Sequence, residues 1–338
     1  MYLQRTVKQD IECSSIGLHS GRKVSMKIRP ADVDEGITFV RTDLPRHQGI
    51  KADIASVCDT TLATTIGCNG SAVSTVEHLM SALSGMGVDN AVVEVNAPEV
   101  PIMDGSALPF VNLLKSVGTR PQGKCKKLVV IKKAISVEDD AGTAMLLPSS
   151  EFKITYKIDF KHPVIGQQSY HLTFSDVNYE KEICAARTFG FLKDVEYLQA
   201  KGLALGGSLK NAIVLNDQKI INKEGLRCPE EFVKHKILDA IGDLSLLGMP
   251  IIGHFIAYKS GHKLNNRLLR EILAHEDCWS IVHHFPKETP VRSPLPLPLK
   301  VPAFRVLDAI NACGNLFNPI LNCIASCLSS HRFILRIR

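Results

Sequence analysis

Apolar residues recur at the spacing of an α-helix in the stretch that follows Pro229. Pro229 suits a first helical turn, and Gly248-Met249-Pro250 provides a stop. The apolar stripe consists of Val233, Ile237, Ala240, Ile241, Leu244 and Leu247. We therefore predict a helix over 230–247 whose opposite face carries His235, Asp239 and Asp243.

Helical and strand-like patterns both occur along the rest of the chain, with Gly and Pro between them. The helical period predicts further helices at 74–84, 107–117 and 263–274. Short β-type runs occur at 24–28, 92–95, 128–131 and 152–158. This mixture predicts an α+β fold class.

Residues 119–127 are polar, charged and interrupted by Pro and Gly, which is typical of a linker between domains. We therefore expect an N-terminal α+β domain over 1–122 and a C-terminal α+β domain over 123–300. Residues 301–338 form a tail that begins in a Pro-rich stretch and has a basic end. No function is assigned to this tail.

Residues 191–215 interrupt the C-terminal half with a short helix near 194–201 and a β-type run at 212–215. We predict an inserted hairpin and helix. Its apolar side chains exceed what so short a segment could bury alone. Packing on the main domain and binding of a lipid are equally good explanations.

Composition and charge narrow the class of protein. The chain has 338 residues, 45% of them hydrophobic, and lacks a run of ~20 apolar residues, so a soluble cytoplasmic enzyme without stable membrane insertion is expected. Ten cysteines without CxxC spacing favour reduced core residues. The net charge of +6, without basic runs, calls for no nucleic acid and suffices for a small anionic substrate.

Two short segments together offer a set of metal ligands. His235 and Asp239 are four apart on one helix face, although most such pairs in proteins are solvated surface pairs. Ser74-x-x-Glu77 fits a capping box, yet Glu77-His78 could equally supply a base and a ligand. Two His and one Asp leave an open position on zinc for water, which is the arrangement of a hydrolase. Iron(II) also suits this set.

Six longer motifs give the chain a close resemblance to a known family. They are G-L-H-S-G at 17–21, S-T-V-E-H at 74–78, N-A-P-E-V-P-I-M-D-G-S at 96–106, A-R-T-F-G-F at 186–191, H-K-I-L-D-A-I-G-D at 235–243 and Y-K-S-G-H-K-L-N-N at 258–266. Over residues 1–307 the chain resembles the UDP-3-O-acyl-N-acetylglucosamine deacetylases of bacterial lipid A (lipopolysaccharide) biosynthesis.

The resemblance implies two domains, each a two-layer α/β sandwich, with the helices packed together between outer sheets. It also implies an inserted β-α-β segment that binds the acyl chain and a zinc ion between the domains. The implied reaction, the committed step of the pathway, hydrolyses the N-acetyl group of UDP-3-O-(3-hydroxyacyl)-N-acetylglucosamine to acetate and a free amine.

The resemblance also implies roles for individual residues. His78, His235 and Asp239 match the zinc ligands, Glu77 the general base and His262 the general acid. Asp243 matches the partner of that histidine, and Thr188 matches a hydroxyl that holds the carbonyl oxygen. Judged alone, Asp243 would be a solvated helix carboxylate and Thr188 a strand residue.

Further residues match positions that contact the substrate. Lys236 would meet the diphosphate, although a surface lysine is the competing interpretation. Phe160 and His162 would engage the uridine, and His19 would line the site. The acyl passage would be formed by Leu192, Val195, Leu198, Leu209 and Val214.

Two other functions compete with a deacetylase. A metallopeptidase is disfavoured because the chain has no H-E-x-x-H. A non-catalytic module that binds a nucleotide sugar or lipid, with zinc as a structural staple, would have no need of Glu77 as a base. A monomer is expected, and the length of the acyl chain stays open.

Overall fold

Two large mixed β-sheets and a buried pair of helices make up most of the structure, a computed structural model that describes residues 3–283. The predicted tail, 301–338, and the end of the predicted second domain lie outside the described residues. The helices are α1 (Glu77–Gly85), α2 (Leu108–Val117), α3 (Asp176–Asn178), α4 (Leu192–Ala200), α5 (Glu231–Ser245) and α6 (His262–Ala274).

The described strands are numbered in chain order. They are β1 (Leu3–Val7), β2 (Ile11–Ile16), β3 (Lys23–Pro30), β4 (Ile37–Arg41), β5 (Gly49–Lys51), β6 (Val57–Asp59), β7 (Thr65–Cys68), β8 (Ser71–Val73), β9 (Ala91–Val95), β10 (Thr119–Cys125), β11 (Leu128–Ile131), β12 (Ile135–Glu138), β13 (Thr143–Leu147), β14 (Phe152–Asp159), β15 (Gln167–Thr173), β16 (Phe189–Phe191), β17 (Ile213–Leu215), β18 (Ile251–Tyr258) and β19 (Trp279–Val282).

The N-terminal sheet has the strand order β2-β3-β9-β4-β5. Its strands bury every second residue, as Val24, Met26 and Ile28 do in β3. This alternation follows from the two-residue period of a strand and turns one face of the sheet toward the core. The prediction of strands at 24–28 and 92–95 is confirmed by β3 and β9.

The C-terminal sheet is organised around β18. On one side β18 pairs antiparallel with β13, and on the other it runs parallel to β11 and β14. A parallel pair needs a long crossover connection, and the chain between β14 and β18 contains α5. Helix α5 packs back on β14 and β15, which places its polar face away from this sheet.

Helix α5 packs most extensively against α1. At their contact Gly242 lies on the backbone of α1, where a Cβ atom would come within 2.0 Å of the Glu77 carbonyl oxygen. Residues on all sides of α5 are buried, including His235, Asp239 and Asp243. The interpretation of His235 and Asp239 as a solvated surface pair is therefore wrong.

The predicted α+β class and the main helices are confirmed. The segment predicted as a linker is instead largely strand β10, which pairs antiparallel with β1. Its polar composition is explained by exposure along much of the strand, while the backbone bonds to β1 fix its conformation. The division of the chain near residue 122 stays a prediction.

The insertion has a different topology from the predicted hairpin. Strands β16 and β17 are parallel, with Phe189 opposite Ile213 and Phe191 opposite Leu215, and α4 connects them. The hairpin prediction is wrong because the local residue pattern identifies a strand but not the direction of its partner. None of the helices in the described part is long and apolar enough to cross a membrane.

Candidate active site

The turn before α1 is held by tertiary contacts. Thr75 is buried and has a φ of 58°, a left-handed conformation that is uncommon for a β-branched residue. Ser74 accepts a hydrogen bond from the Thr65 hydroxyl at 2.9 Å, and Glu77 Oε2 accepts one from the backbone N–H of Thr64 at 3.0 Å. The predicted capping box does not form, because the N-cap residue is Val76, whose side chain makes no capping hydrogen bond.

Three predicted metal ligands converge where α1 meets α5. Nε2 of His78 and Nε2 of His235 lie 3.4 and 3.3 Å from Oδ1 of Asp239. One potential ligand atom from each residue lies within 4.8 Å of the others. No donor among the described residues satisfies the buried Asp239 Oδ1. An orphaned carboxylate oxygen facing two imidazole nitrogens is a donor set that fits a divalent cation.

The protonation states of the ligands also fit a metal. His235 Nδ1 donates to the carbonyl oxygen of Ala186 at 3.1 Å, which leaves Nε2 with its lone pair toward the site. Burial lowers the pKa of His235 to about 3, so the ring is neutral near pH 7. Burial opposes the charge of Asp239, yet basic neighbours, the Lys236 ammonium among them, hold its pKa well below its usual range. Metal ligation requires both of these states.

A second cluster of titratable groups adjoins the triad. Asp243 Oδ2 accepts from His262 Nδ1 at 2.9 Å and from Asn265 Nδ2 at 2.8 Å. The other ring nitrogen of His262 lies 3.8 Å from Glu77 Oε1. The interpretation of Asp243 as a solvated carboxylate is wrong, because its side chain is buried and contacts three partners.

The pKa values of Glu77 and His262 are both raised, but for different reasons. For Glu77, burial raises the pKa, and His262 and His78 only partly oppose that effect. For His262, burial by itself lowers the pKa, but the carboxylates of Asp243 and Glu77 outweigh it and raise the pKa to about 10. The pair therefore combines a carboxylate of increased basicity with an imidazolium at neutral pH.

Lys236 lies next to the triad and is not a free surface lysine. Its ammonium donates to Asp239 Oδ2 at 2.8 Å and lies 5.7 Å from the centre of the Phe189 ring. A quarter of the Lys236 side chain is exposed, so part of it remains accessible to an anionic ligand.

Thr188 precedes Phe189. Its backbone hydrogen bonds to Gly105 and Ile213 place it between a turn and β17.

The two residues predicted to engage uridine lie in an aromatic cluster. The Phe160 ring packs 5.6 Å from Phe189 and 6.1 Å from Phe191, measured between ring centres. His162 is buried beside Phe191, and its ring nitrogens bond to the carbonyl oxygen of Asn216 and the N–H of Val164. A polar contact from His162 to a ligand would therefore have to replace one of these bonds.

The predicted acyl-binding residues line an open part of the insertion. Leu192 and Leu209 are 39% and 44% exposed, and α4 has no fully buried residue. The other three, Val195, Leu198 and Val214, are half-buried. Packing on the main domain thus accounts for only part of this apolar surface.

His19 is tied to the site through Glu99. The buried Glu99 carboxylate accepts from the backbone N–H groups of His19 and Ser20 and from the Thr75 hydroxyl. Glu99 therefore connects the 17–21 motif to the turn before Glu77.

The sequence patterns did not identify Glu99, Thr64 and Asn265 as site residues. Glu99 and Asn265 lay in two of the six motifs, whereas Thr64 lay in none.

Fold and site together define a class: an α+β protein with a buried His-His-Asp triad that could hold a metal ion, beside a Glu-His-Asp cluster. The UDP-3-O-acyl N-acetylglycosamine deacetylase family model matches residues 4–274. The chain belongs to this family.

Relatives of the same name cover most of the chain. A UDP-3-O-acyl-N-acetylglucosamine deacetylase of Syntrophus aciditrophicus is 68% identical over 83% of this chain and 89% of its own length. The enzyme of the same name from Myxococcus xanthus is 54% identical over 83% of this chain and 90% of its own length. The one from Shewanella violacea is 51% identical over 88% of this chain and 98% of its own length. The predicted family is thereby confirmed.

Proposed function

We propose that the protein is a metal-dependent deacetylase that removes the N-acetyl group of a UDP-3-O-acyl-N-acetylglucosamine in lipid A biosynthesis. The observation that carries the proposal is that Glu77 Oε1 and His262 Nε2 face each other at 3.8 Å beside the His-His-Asp triad. A base and an acid on either side of one small space are what amide hydrolysis requires. The names of the relatives supply the substrate.

The products of the reaction set the tasks for these two side chains. Water adds its oxygen to the acetyl carbon, the C–N bond breaks, and the nitrogen leaves as an amine that needs a proton. Glu77 Oε1 accepts the proton of the water, while Oε2 stays fixed by the Thr64 N–H. His262 Nε2 then donates its proton to the departing nitrogen, because Asp243 keeps the ring charged and oriented through Nδ1.

His78, His235 and Asp239 would hold the metal, for which we propose Zn²⁺ with Fe²⁺ as the alternative. Such an ion supplies Lewis acidity toward the carbonyl oxygen and lowers the pKa of water to about 7. A module with a purely structural zinc is disfavoured, since it would not need a buried carboxylate of raised pKa opposite an imidazolium.

Substrate contacts form the less direct part of the proposal. Lys236 has further N–H donors for the diphosphate beside its bond to Asp239. The aromatic cluster of Phe160 and Phe191 offers a face for uracil, with His162 at its edge. The acyl chain would lie along the exposed leucines of the insertion, and Thr188 would contact the carbonyl oxygen. We propose a cytoplasmic monomer whose two halves, 1–122 and 123–300, both contribute to the site.

The test is hydrolysis of UDP-3-O-acyl-N-acetylglucosamine with acetate and free amine measured together. Treatment with a chelator should abolish activity, and Zn²⁺ or Fe²⁺ added singly should show which ion restores it. His262→Ala should lose at least ~100-fold in kcat while the metal content is retained. Release of fatty acid instead of acetate, or full activity of the metal-free protein, would contradict the proposal.

A further inference from the structure

We propose that Thr64 is a positioning residue that keeps the general base and the general acid in one fixed geometry. This inference rests on the proposed deacetylation, for which Thr64 has no chemical role of its own. Its backbone N–H donates to Glu77 Oε2 at 3.0 Å, and its hydroxyl donates to Asp243 Oδ1 at 2.6 Å. One residue thus contacts both the base and the group that orients the acid.

The carboxylate of Asp243 is held by hydrogen bonds to both of its oxygens. Oδ2 of this carboxylate already accepts from His262 and Asn265, and Oδ1 accepts from Thr64. A carboxylate bonded through both oxygens cannot rotate about its χ2 axis without losing a bond. Because His262 is bound through Nδ1 to this carboxylate, its ring position depends on the Thr64 hydroxyl.

Thr64 is itself rigidly held. It is 2% exposed, and its carbonyl oxygen accepts from the N–H of Val76 at 3.3 Å. The next residue, Thr65, binds the Ser74 hydroxyl through its own hydroxyl. Thr64 and the first residue of β7 therefore connect at two points to the turn that precedes Glu77.

The elements brought together by Thr64 are far apart in sequence. Glu77 begins α1, Asp243 lies near the end of α5, and His262 begins α6. A threonine that bonds to α1 and α5, and through Asp243 to α6, fixes the spacing on which proton transfer depends. Misplacement of a reacting group by ~1 Å can reduce turnover by ~100-fold.

The experiment compares Thr64→Val with Thr64→Ser in the deacetylation assay. Valine keeps the shape and the backbone N–H but removes the hydroxyl, whereas serine keeps the hydroxyl. We expect Thr64→Val to lower kcat by about 10- to 100-fold with KM within about twofold and metal content unchanged. Thr64→Ser should stay within about threefold of wild type.

Thr6→Val is the matched control, because Thr6 is also buried and its hydroxyl bonds to the N–H of Ala31 and not to the acid-base groups. Its kcat should stay close to that of wild type. A further comparison introduces Thr64→Val into an Asp243→Ala background. If Thr64 acts through Asp243, the second substitution should reduce kcat by less than about threefold.

The outcomes separate this inference from the proposed function. A wild-type protein that releases no acetate would refute the function itself. An active wild type with Thr64→Val within threefold of it, or Thr64→Ser as impaired as Thr64→Val, would overturn the role of the hydroxyl alone. Should Thr64→Val not fold, Thr64→Ala removes the same hydroxyl, and loss of bound metal in Thr64→Ala would count against a positioning role.

Discussion

His235 and His262 carry the same imidazole, yet their surroundings shift the pKa in opposite directions. His235 is buried and His262 is largely buried, which disfavours the charged ring in both. His262 has carboxylates on both sides, and its pKa is raised to about 10, whereas the pKa of His235 falls to about 3. One ring is thereby suited to donate a proton and the other to bind a metal. Sequence motifs identify both residues, but only the three-dimensional contacts assign these charge states.

A pair of histidines outside the site should make stability depend on pH. The Thr155 hydroxyl lies 2.9 Å from His171 Nδ1 and 2.8 Å from His254 Nε2, with Lys153 nearby. Burial, and to a smaller extent His171 and Lys153, lower the pKa of His254 from 6.5 to about 4. The unfolded chain therefore binds the proton first, so this contribution is complete above pH 6.5 and is lost as the pH falls toward 4.

The measurement is urea unfolding of wild type and His254→Gln at pH 7 and pH 5. The free energy of unfolding should decrease less between these pH values in the variant, because the depressed histidine has been removed. An identical decrease in both proteins would show that His254 does not contribute.

At the level of elements, the sequence predicted helices well and their partners poorly. The helix predicted at 230–247 and the strand predicted at 128–131 lie close to the observed bounds of α5 and β11, because the apolar pattern of each is local in the sequence. Judged from the local pattern alone, the polar face of α5 would be solvated, but α1 covers it. Ser74 and Glu77 fit a cap, yet each bonds to a neighbouring segment instead. Such choices depend on residues distant in sequence.

The close contact of α1 with α5 leaves no room for a methyl group at Gly242. Gly242→Ala should raise the helix propensity of α5 by ~1 kcal/mol, since alanine loses less backbone freedom than glycine. We nevertheless expect lower stability and a loss of activity, because the new Cβ would lie 2.0 Å from the Glu77 carbonyl oxygen and displace the base. Thermal unfolding and turnover should both be measured.

Gly123→Ala provides the control, because a Cβ at that position meets no atom within 4 Å and the backbone φ is not positive. This variant should unfold and turn over as wild type does. Gly242→Ala with wild-type turnover would contradict the close packing of the two helices at Glu77.

On the scale of the whole molecule, the His-His-Asp triad joins distant parts of the chain. His78 lies on α1, and His235 and Asp239 lie on α5. The resemblance of the motifs predicted these residues, whereas the spacing of His235 and Asp239 alone did not distinguish them from a surface pair. A metal held by these three buried residues would contribute to the stability of the fold.

Removal of the metal should therefore lower the melting temperature. Free metal at 100 times its dissociation constant stabilises the folded state by ~2.7 kcal/mol, which corresponds to ~4 °C for a chain of this size. Thermal unfolding with and without a chelator measures this difference. Asp239→Ala should show no such difference, and an equal chelator effect in that variant would place the metal elsewhere.

In the proposed mechanism, Glu77 acts as a base beside a metal that it does not bind. We would measure kcat and metal content on one preparation of Glu77→Gln, which keeps the shape of the side chain. We expect unchanged metal stoichiometry together with a loss of at least ~100-fold in deacetylation. Turnover close to that of wild type would contradict it.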